Sequence, residues 1–362
     1  MCQDFKNNLT FFNKEGQFGS LRHPDGYGAP RYIGCSLNNI ANDVFLDNDL
    51  LDRIIDEGSE IEPKYFLPII PLILVNGTSG IAVGFASNIL NRNPKDIIDV
   101  CITYLKTSKI KSELKPFIKG FNGEILQGET NLKWLFKGIY EIINHNTIRI
   151  KEYCHDMSYE KIESHLYSLV EKGKILSYEN NTKETIDILI KFKLEELQKY
   201  SDSDLRKLFK LDSSEVENLT VLDEFGKLKI FENVYDIVKY FMEFRLKYYT
   251  IRKNKIVQDL QRQLSILENK IKFINLYNKG KIKISNIQKI IIVKQLEELN
   301  FLKIDESFDY LLNLPLYSLT LERADNLKKD FDEKRITISK ILDITEVDMY
   351  LQDLANLKSK LK

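Results

Sequence analysis

The sequence predicts an α+β protein in which a mixed region of short strands and helices is followed by a long helical region. Three observations lead to that class. The runs Thr147–Lys151 and Thr185–Lys191 are rich in β-branched residues with polar ones interspersed, the pattern of strands. Asp223-Glu-Phe-Gly226 forms a turn signal that leads into a third such run, Lys227–Phe231. Beyond it, apolar residues recur at helical spacing: Ile237, Phe241, Phe244, Tyr248 and Ile251, then Leu260, Leu264, Leu267, Ile271 and Ile274.

Taken in order, the chain divides into three regions. Residues 1–65 hold a Gly- and Pro-rich loop, Gly16–Pro30, and a short helical pattern, Leu50–Ile55. Residues 66–232 carry the strand-like runs. Their most apolar stretch, Tyr65–Ala86, is interrupted by Pro68, Pro71, Asn76, Gly77, Gly80 and Gly84, so it reads as a buried segment with turns and not as a membrane span. Residues 233–362 are helical. The apolar stripe implies one helix of roughly 40 residues, about 60 Å long at the usual rise, ended by Asn278-Lys279-Gly280. Further helical patterns cover Asn286–Asn300, Leu319–Leu342 and Glu346–Leu361, with Leu321, Ala324, Leu327, Phe331, Ile338 and Leu342 on one face. A stripe this long needs a returning antiparallel helix, although an ordinary bundle meets the same periodicity.

Composition bounds the function. The 362 residues carry 53 basic and 53 acidic side chains, for a net charge of +0, so any nucleic-acid surface must be a local patch. Cys2, Cys35, Cys101 and Cys154 form no CxxC pair, and His23, His145, His155 and His165 lack metal-cluster spacing. No export leader opens the chain, and a reducing compartment fits the cysteines.

Chemistry concentrates around Gly16-Gln-Phe-Gly-Ser20 and Ala29-Pro-Arg-Tyr-Ile33. Pro30 holds Ala29 extended, and the glycines allow close approach of another backbone, which presents Arg31 and Tyr32 at the end of a loop. A phenol, with a pKa of about 10, needs nearby positive charge to act as a nucleophile, and an arginine is always charged. An Arg-Tyr dipeptide alone is commonplace. Gly77-Thr-Ser-Gly-Ile-Ala-Val-Gly84 has glycines spaced like a nucleotide loop, but no GK[ST] follows and GxGxxG is not met. Asp47-Asn-Asp49 has the form of a magnesium site and also that of a solvated acidic loop, the reading its acidic surroundings favour. Asp330-Phe-Asp-Glu333 reads as an exposed helix face. Arg245–Lys255, basic with aromatics interleaved, reads as a packed stripe with a solvated face, or as a DNA surface through Lys247 or Arg252.

The ordered set GQFGS, PRY at 30–32, EPKYFLPIIPLILVNGTSGIAVGF at 62–85, FMEFRLKYY at 241–249 and YLLNLPLYSLTLE at 310–322 resembles the breakage-reunion core of type IIA DNA topoisomerases across nearly the whole chain. It is most similar to the eukaryotic, viral and phage medium-subunit branch. The resemblance implies a partial winged-helix domain over 1–65, an α/β tower domain over 66–232, and a long antiparallel coiled coil with a C-terminal dimer gate over 233–362. It implies that Tyr32 forms a transient 5′-phosphotyrosyl bond while Arg31 stabilises charge on the phosphate. His23 matches a histidine that contacts the scissile phosphate, in a loop one residue shorter before Pro30; a solvated loop histidine is the plainer alternative. Arg22 is a weaker candidate for phosphate contact. Ile81 matches the isoleucine that wedges between base pairs, with Gly80 and Ala82 allowing close approach to the groove. By the same resemblance no metal ligand lies in this chain. Magnesium and ATP belong to a TOPRIM and ATPase subunit or to a missing region, the partners are double-stranded DNA and a second copy through Tyr310–Thr320, and no membrane is involved. Only Met1–Phe5 precedes the GQFG region in the manner of the family's DNA-reading helix, so an N-terminally truncated chain or split-gene product is expected. The implied compartment is the cytoplasm, including that of a host, or the nucleus. The alternative function is a DNA-binding or dimerisation remnant without catalysis.

Overall fold

The computed structural model describes residues 1–110, 113–183, 185–284 and 287–361, with side chains other than those of Leu316, Ser318 and Leu321. Asn286, the expected start of one helical stretch, lies outside the described residues, as do the side chains of Leu316 and Ser318 in the expected gate segment and of Leu321. Two compact units are formed, one by Met1–Arg245 with Leu351–Lys362 and one by Leu246–Tyr350.

In the first unit, β1 (Phe12–Glu15) pairs antiparallel with β2 (Gly34–Leu37), Glu15 opposite Gly34. That pairing closes the base of the Gly- and Pro-rich loop. After α1 (Ile40–Val44) the chain departs from expectation, because Leu50–Ile55 is not a helix. A single 3-10 turn, Asn48–Leu50, leads into β3 (Arg53–Asp56), which pairs with β4 (Ser59–Pro63). The cause is the turn, where Glu57 (φ 47°) and Gly58 (φ 81°) are both left-handed, the geometry of a two-residue hairpin. Next come α2 (Leu72–Val75), a second hairpin of β5 (Thr78–Ala82) and β6 (Phe85–Ile89), and α3 (Pro94–Thr107). Asn93 caps α3 by accepting from the Lys95 amide, with Pro94 in the first turn. Leu67, Ile69, Ile70, Leu74 and Val75 are buried, so the first half of the apolar stretch is a buried segment as expected, whereas its second half, Thr78–Ala86, is an exposed hairpin.

Two antiparallel sheets follow, from β7 (Glu124–Gln127), β8 (Lys133–Lys137), β9 (Ile139–Asn144), β10 (Thr147–Glu152), α4 (Tyr159–Glu171), β11 (Ser177–Asn180), β12 (Ile188–Lys191), α5 (Asp202–Leu208) and β13 (Asp212–Val216). The orders are β13-β8-β7 and β11-β12-β10-β9. Of the run Thr185–Lys191, only its second half is strand. Ile148 and Ile150 of β10 and Ile188 and Ile190 of β12 turn one face inward, and Ile162, Leu166 and Leu169 of α4 join them in one core. β14 (Thr220–Leu222) and β15 (Leu228–Ile230) make the last hairpin, across the turn read from the sequence.

Helix α6 (Val234–Asn278) is 45 residues long, about 67 Å at the usual rise. Gly280 (φ 71°) stands just beyond its end. It is buried first at Val234, Ile237 and Val238, then at Met242, Arg245 and Tyr249; the last three stand one residue beyond Phe241, Phe244 and Tyr248 of the expected stripe, which are half-buried, and Ile251 is exposed. The shift has a cause that apolar periodicity does not register: Arg245 occupies a core position through an ion pair with Asp47, and also donates to the Pro68 carbonyl (3.2 Å). Asp47 is 3% exposed, so it is not part of a solvated loop.

In the second unit α7 (Lys289–Glu298) and α8 (Asp309–Leu312) pack with the end of α6 around Phe273, Ile274, Leu296 and Phe301. The chain then returns along α6 as α9 (Leu321–Asp343) and the start of α10 (Glu346–Lys360). Asn278 bonds the Leu319 carbonyl, Lys334 bonds Gln263 (2.7 Å), Lys253 bonds the Ile344 carbonyl (2.8 Å), and Tyr249 stacks on Tyr350. Numbers fall along one helix as they rise along the other, so the two run antiparallel. Lys253 of the basic run Arg245–Lys255 thereby holds the returning chain, and the Arg252 guanidinium lies 5.4 Å from the Tyr249 ring centre.

Candidate active site and nucleic-acid interface

The loop between β1 and β2 is folded on itself from base to tip. At the base, Gly16 takes φ 93°, and a Cβ there would sit 2.9 Å from the Tyr32 carbonyl oxygen, so only glycine admits this approach. Farther out, Gly28 donates to the Gln17 carbonyl (3.0 Å) and Phe18 bridges Tyr27. At the tip, Ser20 and His23 exchange backbone bonds of 3.0 and 3.1 Å. Ala29 is extended (φ −58°, ψ 147°), as a residue before proline must be, and Pro30 starts a 3-10 turn, Pro30–Tyr32, whose last amide donates to the Ala29 carbonyl (2.8 Å). The Tyr32 side chain emerges 75% exposed. The Arg31 guanidinium is 5.8 Å from the centre of its ring, within reach of a cation–π contact. The phenol is held at its backbone and open at its oxygen.

Arg22 corrects the sequence reading. It is 7% exposed and points into the protein, where it pairs with Glu152 and donates to the carbonyls of Tyr153 (2.9 Å), Cys154 (2.7 Å) and Met157 (2.8 Å). A guanidinium with its donors engaged in this way is not offered to a phosphate. Its backbone carbonyl also accepts from the Tyr159 amide (2.7 Å). His23, the next residue, remains exposed, and its Nδ1 lies 2.5 Å from Glu160 Oε1 in the first turn of α4. Hydrogen bonds from its own backbone N–H, from the Ser158 hydroxyl and from His23 hold the Glu160 carboxyl below the usual range. Neither Glu152 nor Glu160 was found from sequence; Arg22 and Glu152 are 130 residues apart, and contacts at that separation leave no local pattern.

Ile81 and Gly80 lie on a separate element, the β5–β6 hairpin. Ile81 is 94% exposed, which excludes a core role. A Cβ on Gly80 or Gly84 would meet nothing within 4 Å. The hairpin base is by contrast tightly held. Gly77 (φ 64°) leaves no room for a Cβ, which would fall 2.5 Å from the Ile89 carbonyl oxygen. Leu90 N donates to Glu217 (2.9 Å), and Glu217 takes a bidentate fork from Arg92 (3.0 and 2.7 Å) and the Trp134 indole N–H (3.0 Å). Arg92 is fully buried. The exposed isoleucine therefore stands on a rigid foot.

Among the described residues, no three His, Cys, Asp or Glu side chains gather as a metal site. Asp47 directs its carboxylate to Arg245, so the DxD pattern does not make one. No helix among the described residues is long and apolar enough to cross a membrane.

The family model that describes the A subunits of DNA gyrase and topoisomerase IV matches residues 1–358. DNA topoisomerase 2 of Plasmodium falciparum (isolate K1 / Thailand) is 31% identical over 407 aligned positions, covering 100% of this chain and 29% of that protein. The mitochondrial DNA topoisomerase 2 of Dictyostelium discoideum is 30% identical over 370 positions, covering 98% of this chain and 29% of that protein. A crystal structure of the Plasmodium falciparum topoisomerase II DNA-binding, cleavage and re-ligation domain matches with a TM-score of 0.84 and 30% identity, over 98% of this chain and 52% of that one. The chain thus spans 29% of the length of these curated relatives. With its fold, its ordered motifs and nearly all its residues matched, the chain belongs to the family of DNA gyrase and topoisomerase IV A subunits.

Proposed function

We propose that this chain is the DNA cleavage and religation part of a type II DNA topoisomerase, with Tyr32 as its nucleophile. The observation that carries the reading is the exposed Tyr32 beside Arg31, on a loop closed at its base by Gly16. In the forward step the Tyr32 oxygen attacks the scissile phosphorus, a phosphotyrosyl bond forms to the 5′ end, and the bond to the 3′ oxygen breaks. One phosphodiester replaces another, so the 3′ hydroxyl reverses the step without a new high-energy donor. Arg31 stabilises charge on the phosphate oxygens, and His23 donates a further hydrogen bond to them. Ile81, projecting from its hairpin, wedges into the base stack and bends the duplex, with Gly80 keeping the backbone slim enough to approach the groove. Arg22 is not among the DNA contacts.

In this reading residues 1–65 form a partial winged-helix domain, 66–232 a tower, and 233–362 an antiparallel coiled coil with a dimer gate at Tyr310–Thr320. Double-stranded DNA is the substrate and a second copy completes the gate. Magnesium and ATP serve the holoenzyme through TOPRIM and ATPase regions on another segment or polypeptide, where the metal supplies positive charge at the phosphate. One relative is named as mitochondrial, so organellar DNA is as natural a substrate as nuclear or cytoplasmic DNA.

The test is a cleavage assay with this chain joined to the rest of its enzyme, magnesium and DNA. Denaturant quenching should trap the protein on 5′ ends, and Tyr32→Phe should abolish trapping. An adduct formed by that variant would refute the assignment of the nucleophile.

A further inference from the structure

The tip of the tyrosine loop is docked on the segment 152–160 by three separate contacts. The Arg22 side chain is buried against Glu152 and three carbonyls of that segment, and the Arg22 carbonyl takes the Tyr159 amide at 2.7 Å. The third contact is the His23 imidazole, whose Nδ1 meets Glu160 Oε1 at 2.5 Å. The ring also packs closely against Gly26, since a Cβ there would fall 1.9 Å from His23 Cδ2. Glu160 itself is placed by the helix start, where Ser158 caps α4 and accepts from the Lys161 amide. A carboxylate that accepts from Nδ1 keeps a proton on that nitrogen, and Nε2 then donates to a phosphate when the ring is doubly protonated.

We propose that Glu160 is a positioning residue for His23, holding the imidazole through Nδ1 so that Nε2 faces the bound phosphate, with the Arg22–Glu152 pair locking the loop tip to the helix that carries Glu160. This rests on the reading of His23 as a phosphate contact. Glu160 touches neither the phosphate nor the nucleophile and acts only through the ring. Without it the imidazole retains its exposure but loses the acceptor at Nδ1 that orients it, and a loosely held donor contributes less to a transition state than a preorganised one.

The experiment uses the complete enzyme and measures the single-turnover rate of covalent complex formation, and separately the affinity for uncleaved DNA. Glu160→Ala, His23→Ala and the double variant are compared. Glu160→Ala should slow cleavage about tenfold, the worth of one charge-assisted hydrogen bond, and leave DNA affinity unchanged. In the His23→Ala background the same change should have no further effect, because the ring through which it acts is gone. Cleavage at the wild-type rate in Glu160→Ala, with His23→Ala impaired, would overturn the proposal and leave the role of His23 standing. Additive losses in the double variant would also overturn it, since Glu160 would then act by another route. A His23→Ala enzyme that cleaves at the wild-type rate would refute the role of His23 and this proposal together, while the Tyr32→Phe test would still decide the nucleophile independently.

Discussion

The first unit uses its arginines in two opposite ways. Arg31 is exposed beside Tyr32, whereas Arg22, nine residues earlier in the same loop, is buried against a carboxylate. Arg92 and Arg245 follow Arg22, each buried and each paired, with Glu217 and Asp47. Arg22 holds the His23 tip and Arg92 the base of the Ile81 hairpin, the two parts of the proposed DNA-facing surface, while Arg245 binds Asp47 and the Pro68 carbonyl. On the proposed function, charge in this unit is divided between chemistry and anchoring. The side chains proposed to meet DNA are exposed, so their precision must come from beneath.

The two loop arginines should respond most differently to removal. Arg31→Ala should lower the rate of covalent complex formation by about 10³-fold or more, while thermal unfolding changes by no more than about 0.5 kcal/mol. Equal losses of stability and rate would remove the distinction between an exposed and a buried arginine. The next effect is at the hairpin foot. Glu217→Ala leaves the Arg92 guanidinium, the Trp134 N–H and the Leu90 amide without their acceptor, and should cost about 3–5 kcal/mol in denaturant unfolding. A cost below about 1 kcal/mol would mean that water replaces the carboxylate easily.

Two isoleucines of one hairpin sharpen the contrast further. Ile89 is buried, so Ile89→Ala should destabilise the unit by about 2–5 kcal/mol. Ile81→Ala should leave stability within about 0.5 kcal/mol, yet reduce the bend measured by energy transfer between labelled DNA ends. The smallest effect concerns a phenol away from the loop. Burial first, and then the hydrogen bond to Asp202, raise the Tyr140 pKa to about 12. An unfolded phenol ionises near pH 10, so folding favours the neutral form. The contribution is complete below about pH 10 and is lost as pH rises toward 12. Tyr140→Phe should flatten that part of the alkaline unfolding curve, and an unchanged curve would refute the linkage.

Much of the architecture was legible because it rests on local, repeating signals. The strand run at Thr147–Lys151, the turn before Lys227, the end of α6 at Asn278 and the spans of α9 and α10 all follow from period, propensity or cap. The Pro-Arg-Tyr turn was equally readable, since Pro30 constrains its own neighbours. Leu50–Ile55 failed because two left-handed residues at Glu57 and Gly58 outweighed a weak helical spacing. The first half of the α6 stripe was displaced by one residue at Met242, Arg245 and Tyr249, where a core position is filled by an arginine that apolar periodicity cannot count, while Leu267, Ile271 and Ile274 of its second half pack as expected.

The sequence by itself determined the family, the tyrosine loop and the long helix, because each is written in neighbouring residues whose sterics and spacing act locally. Only the tertiary structure decided that Arg22 faces inward, that Asp47 is a core ion and that Glu160 holds His23. Those outcomes depend on which charges meet after residues far apart in the chain come together, and on the cost of burying any charge left unpaired.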